Sequence, residues 1–103
     1  MRKAEVKIHG VRAGILEEIE YQAVYRFSYD TTYVGPPVSL SMPVEQKTYQ
    51  FDRLPPFFEG LLPEGFNLEA LLRALKIDRS DLFSQLVAVG EDTVGAVTIR
   101  EIL

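Results

Sequence analysis

The apolar residues of this chain change their spacing at Pro55-Pro56. Before that point the clearest runs recur at every second position. After it they recur at every third or fourth. A period of two belongs to a strand with one buried face, and a period near 3.6 to a helix. A chain of 103 residues that switches in this way folds as strands followed by helices, an α+β pattern. Gly95-Ala96-Val97-Thr98-Ile99 then returns to β-forming residues and predicts a last strand that rejoins the sheet. The expected architecture is a small antiparallel sheet with about three helices on one side, a single domain over residues 1–103.

Each half carries local punctuation. Glu5-Val6-Lys7-Ile8 alternates, His9-Gly10 supplies a tight turn, and Val11 to Leu16 reads as the return strand, with Gly14 expected at a bulge. Ala23, Tyr25, Phe27 and Tyr29 form the clearest alternating face. Val38-Ser39-Leu40-Ser41-Met42 reads as a short strand closed by Pro43. Beyond Pro55-Pro56, the residues Phe57, Phe58, Leu61 and Leu62 predict a short helix stopped by Pro63 and Gly65. Leu68, Leu71, Leu72 and Leu75 follow the i, i+3, i+4, i+7 pattern of a buried helix face, with Asn67 as N-cap. A third helix is expected from about Asp78 to Ser80, burying Leu82, Phe83, Leu86 and Val87 and ending at Gly90. The leucine stripes are read as core.

The composition supports such a core: 47% of residues are hydrophobic and 25% charged. Cysteine is absent, which removes disulfides, thiolate nucleophiles and cysteine-based zinc sites and points to a reducing cytoplasm. The start, Met1-Arg2-Lys3-Ala4-Glu5-Val6-Lys7, has no apolar stretch behind its basic residues and predicts no signal peptide. No apolar run reaches the ~18–20 residues of a membrane span. With a net charge of −4 and no basic stripe, direct nucleic-acid binding is not expected, because that contact leans on Lys and Arg. A basic protein surface suits this chain better.

The residues offer little chemistry. His9 is the only histidine and falls in a predicted turn, away from any partner a general base would need. One histidine without cysteine does not build a zinc site, and no EF-hand spacing occurs. No Gly-rich phosphate loop and no G-x-S-x-G elbow is present. Ser39 and Ser41 read as solvent-side strand residues, and Glu91-Asp92 as a solvated helix end rather than an acid–base pair. Glu17, Glu18 and Glu20 read as a solvated strand end, with a docking patch for a basic partner as the alternative. Phe66 stands between a helix stop and the next helix. There it either staples the helix start or stays exposed as a binding anchor. No cofactor, metal or catalytic residue is expected.

Several strings also stand together in one order: Gly10 to Leu16, Phe27-Ser28-Tyr29, Val38 to Pro43, Leu54-Pro55-Pro56-Phe57-Phe58-Glu59-Gly60-Leu61-Leu62-Pro63-Glu64-Gly65, and Val89 to Val97. In this order they resemble the first N-terminal subdomain of HipA-family serine/threonine kinases, the toxins of bacterial toxin–antitoxin systems. The proline-aromatic-leucine string and the Gly-Glu-Asp…Gly-Ala-Val string are the specific parts, and the resemblance covers nearly the whole chain.

In that family the ATP loop, catalytic Asp and metal ligands belong to a kinase core that follows this subdomain. None of those motifs occurs before Leu103, so no catalytic residue carries over. A free-standing copy, as which the stretch from Met1 to Ile102-Leu103 is read, resembles the HipS-type small antitoxins of three-gene systems. The resemblance implies that such a protein binds and neutralises a HipT-like serine/threonine kinase toxin. It also implies a HipB-like helix-turn-helix DNA-binding protein in a larger complex. The alternative it implies is a regulatory or docking subdomain of a HipA-like kinase. The residues expected to touch the kinase are Glu64, Gly65, Phe66 and Asn67, with Phe66 as anchor and the Glu17 to Glu20 edge as the next candidate.

Overall fold

Ala4, Val6 and Ile8 are buried on one face of β1 (Arg2–Ile8), while Lys3, Glu5 and Lys7 lie on the other. The structure, a computed structural model, describes residues 1–93 and 95–102. Val94 and Leu103, which belong to stretches read above, lie outside the described residues. β1 turns through His9 and Gly10, both at positive φ (50° and 80°), into β2 (Val11–Glu20), with Ile8 opposite Val11. β3 (Val24–Tyr29) pairs with β2, Leu16 lying opposite Phe27. β4 (Thr48–Phe51) pairs with β3, and β5 (Val97–Ile102) with β1. The sheet runs β4-β3-β2-β1-β5, antiparallel throughout.

Three helices connect β4 to β5: α1 (Pro56–Glu59), α2 (Gly65–Leu75) and α3 (Leu82–Val89). The core lies under α1 and α3. Phe27 meets Phe58 of α1 at 5.9 Å between ring centroids and Tyr29 edge-on at 4.8 Å. Phe27, Phe58 and Phe83 are completely buried, and each such side chain is worth about 1.5–3 kcal/mol relative to exposure. The α+β expectation is met, as are the first hairpin, the alternating third strand and the last strand.

Two glycines are set by close approach. A Cβ on Gly14 would lie 2.2 Å from the Ser28 carbonyl oxygen on β3. The expected bulge is there: the β1–β2 register shifts so that Ala13 is the extra residue beside Gly14. Gly90 does follow α3, yet its φ is −60°, so no left-handed cap requires it. A Cβ there would lie 2.1 Å from the Ile99 carbonyl oxygen, whose strand presses against the helix end.

Other expectations need correction. Val38–Met42 is not a strand. The Tyr29 hydroxyl accepts from Val38 N–H at 2.9 Å and donates to Met42 C=O at 2.5 Å. A core tyrosine thus satisfies backbone groups that a strand would pair with a neighbour, and the edge of β3 is taken by Thr48–Phe51 instead. Ala23 lies in the turn before β3 and is exposed. Asn67 is not the N-cap of α2; the helix starts at Gly65 and Glu64 holds the cap position.

The leucine stripe of α2 is not core. No residue of that helix is buried; Leu68, Leu71 and Leu72 are half-buried and Leu75 is 53% exposed. The core is completed without α2: Tyr33, Val38, Met42 and Leu54, from the long connections between β3 and α1, join the buried residues of the sheet, α1 and α3. Leu82 and Val87 of α3 are likewise only partly buried, whereas Phe83 and Leu86 are buried as expected.

Candidate partner-binding site

The two helix starts on this side of the sheet differ in chemistry. At α3, Asp81 is the N-cap and accepts from Ser84 N–H at 3.2 Å and from the Ser84 hydroxyl at 2.7 Å. Arg2 reaches across from β1 and donates to Asp81 at 2.8 Å and to Ser84 Oγ at 2.7 Å. It also makes a two-pronged contact to Glu18, at 2.7 and 2.9 Å. Its guanidinium stacks near the rings of Phe83 and Tyr21, 5.0 and 5.1 Å from their centroids. The Arg2 pKa is pushed further above its ordinary value, chiefly by the Glu18 hydrogen bond. Burial and then Glu18 push Tyr25 up to about 12. Burial works to raise the Asp81 carboxyl, but the Arg2 and Ser84 hydrogen bonds prevail and hold it below its ordinary range.

This corner overturns the solvated reading of the acidic stretch. Glu18 is 2% exposed and Glu17 9% exposed. Glu18 lies on the core face under Arg2 and Tyr25, and Glu17 pairs with Arg26 at 3.1 Å and Lys3 at 3.8 Å on the open face. Only Glu20 is exposed. A patch whose carboxylates are already paired has little left for a basic partner.

At α2 nothing is paired in this way. Glu64 makes no side-chain cap hydrogen bond, Gly65 has φ +57°, and Phe66 in the first turn is 86% exposed. Glu64, Gly65, Phe66 and Asn67 are all exposed and contiguous. They form the start of a helix rather than the free connection the sequence suggested. The staple reading of Phe66 does not hold at that exposure. Beside this turn, α1, α2 and α3 enclose a cleft of about 410 Å³ lined by Pro56, Glu59, Leu62, Pro63, Glu64 and Leu68 from the first two helices and their link, and by Leu82 from the third.

The remaining candidates stay apart. His9 is exposed in its turn, and Glu91 and Asp92 are exposed beyond α3. The Ser39 and Ser41 hydroxyls bond each other at 3.0 Å. Among the described residues, no group of three or more His, Cys, Asp or Glu could hold a metal ion. No helix there is long and apolar enough to cross a membrane.

The family profile of the HipA N-terminal domain matches residues 4–100. The chain belongs to the HipA N-terminal domain family. A HipA N-terminal domain from a structure described as that of a HipA toxin superposes with a TM-score of 0.79 at 34% identity, over 100% of this chain and 94% of that one. An uncharacterized protein of Haemophilus influenzae is 39% identical over 101 residues, 98% of this chain and 93% of its own length. The HipA N-terminal domain fold therefore occurs in a relative that contains little else. Within it, the residues that sequence reasoning missed are Glu59, which lines the cleft, and Arg2 and Asp81, which fix α3. Pro55-Pro56 was the available signal for Glu59, because a proline-started helix of one turn puts its fourth residue at the helix end.

Proposed function

We propose that this chain is a non-enzymatic antitoxin of the HipS type, which binds a HipT-like serine/threonine kinase toxin and inhibits it. In the cell it works in the cytoplasm, within a larger complex that includes a HipB-like DNA-binding protein. The observation that carries the reading is the exposed Phe66 on a first helical turn with Glu64, Gly65 and Asn67. A large aromatic held on a helix offers apolar area at small entropic cost, which suits a group meant to enter another protein. The near-full-length match to a relative of similar length supports a domain that is not joined to a kinase core.

The test is inhibition of the purified kinase by the untagged chain, together with calorimetric affinity. Phe66→Ala is expected to weaken binding by about 2 kcal/mol, on the order of 30-fold, with the melting temperature unchanged. Wild-type affinity and neutralisation in that variant would remove the first turn of α2 from the inhibitory surface. A saturable heat with Mg-ATP from the chain alone would count against a non-enzymatic role. The likeness to a HipA toxin's own N-terminal domain favours a second reading, a docking subdomain that binds the kinase without silencing it. Binding with undiminished kinase activity would select that reading.

A further inference from the structure

We infer that the cleft between α1, α2 and α3 receives a long cationic side chain, arginine or lysine, from the bound partner. The inference rests on the kinase-binding reading and adds the chemistry of the contact. The walls of the cleft are apolar: Pro56, Leu62, Pro63, Leu68 and Leu82. Four polar side chains also line it, and two are already engaged. Arg79 is paired with Glu69. Gln85 donates to the carbonyls of Asp78 and Arg79 at 3.1 and 3.0 Å. The other two are Glu59 and Glu64, whose carboxylates have no ion-pair partner among the described residues. Glu64 sits at a cap position without making the cap hydrogen bond usual there. Both are exposed.

Apolar walls with two unpaired carboxylates discriminate among occupants. An anionic group is repelled. A purely apolar group strips water from the carboxylates and returns no hydrogen bond. A lysine or arginine lays its methylene stem along prolines and leucines and keeps its head in reach of the charges. Its N–H donors make charge-assisted bonds to the carboxylates. Phe66, two residues beyond Glu64, then enters the partner while the partner's cation enters the cleft, so the two chains clasp each other at one turn of helix.

The direct test is an amide chemical-shift titration of the ¹⁵N-labelled chain with Nα-acetyl-arginine methylamide, its lysine counterpart, and Nα-acetyl-norleucine methylamide as the uncharged control. The cationic probes are expected to shift the Gly60, Leu62 and Leu68 amides saturably, and the norleucine probe is not. Glu59→Gln with Glu64→Gln abolishes the shifts. Both positions are exposed, so the double variant is expected to fold, and its unfolding transition checks this. The same variant is expected to bind the kinase on the order of tenfold more weakly, with a shallower dependence on salt. Equal shifts from norleucine, or shifts and affinity unchanged in the double variant, would overturn the assignment. The two proposals fail separately. A chain that binds no kinase refutes the antitoxin reading while the amino-acid titration still decides the cleft. A chain whose kinase binding depends on Phe66 but not on Glu59 and Glu64 loses only the cleft.

Discussion

Asp81 and Glu64 stand at the same position, the residue before the first turn, in α3 and α2, and the protein uses them differently. Asp81 is engaged by Ser84 and Arg2, so the start of α3 is tied to β1 and through Glu18 to β2. Glu64 is exposed and makes no cap bond, and the helix after it has no buried residue. One carboxylate is used to hold the fold together and the other is left unpaired on the surface. Residue type sets part of the difference, because the short Asp side chain is a preferred N-cap and Glu is not. A second element adds the rest: Arg2 of β1 donates to Asp81, whereas Glu64 has no ion-pair partner among the described residues.

Arg2→Met breaks the comparison most forcefully. It leaves Glu18 buried without its main donor and Asp81 without its cross-chain partner, which is expected to cost about 3 kcal/mol. For a chain of this length that lowers the melting temperature by roughly 12–24 °C, as scanning calorimetry would show. A loss below about 1 kcal/mol would mean the corner behaves as a surface ion pair. The two cap residues then offer a matched pair of substitutions. Asp81→Ala is expected to destabilise by about 2 kcal/mol and Glu64→Ala by less than ~0.5 kcal/mol. Denaturant midpoints that shift equally would erase the distinction between the two helix starts.

The smallest effect sharpens it through pH. The folded Asp81 carboxyl titrates below its ordinary value of 3.8. Its contribution is therefore fully present above that value and is lost as pH falls through the folded-state value. Thermal unfolding of wild type and Asp81→Asn between neutral pH and about pH 2 should give a gap that is steady near neutral pH and narrows as pH falls below the ordinary carboxyl value. A constant gap across that range would refute the coupling.

Much of the sheet was legible because its code is local. Tyr25, Phe27 and Tyr29 alternate and are buried as alternation requires, and His9-Gly10 turns the chain where the dipeptide suggests. What failed depended on partners distant in sequence. Val38 to Met42 alternates as well as many strands, yet its backbone groups are met by one tyrosine hydroxyl. Thr48–Phe51 alternates, but over only four residues and without a fully buried side chain, so its periodic signal is too short to stand out. Glu18 looked solvated because nothing near it in sequence announces Arg2 as its partner. The candidate site was half legible. Phe66 could be singled out as an aromatic between helices, but only a core complete without any residue of α2 shows that it and the leucines behind it remain outside.

The pairing of β5 with β1, which sets Lys3 opposite Ile102 and Ile8 opposite Val97, has a consequence for how the molecule is made. The outer flank of β1 stays open while the ribosome is still reading the middle of the message, and Val6 and Ile8 await a strand not yet synthesised. Such an uncovered edge invites pairing with other chains. Contacts between the first and last residues are also slow to form, because a large loop must close first. The sheet is therefore completed late, and shortened products that stop before β5 would be left with a bare flank, open to proteolysis and aggregation.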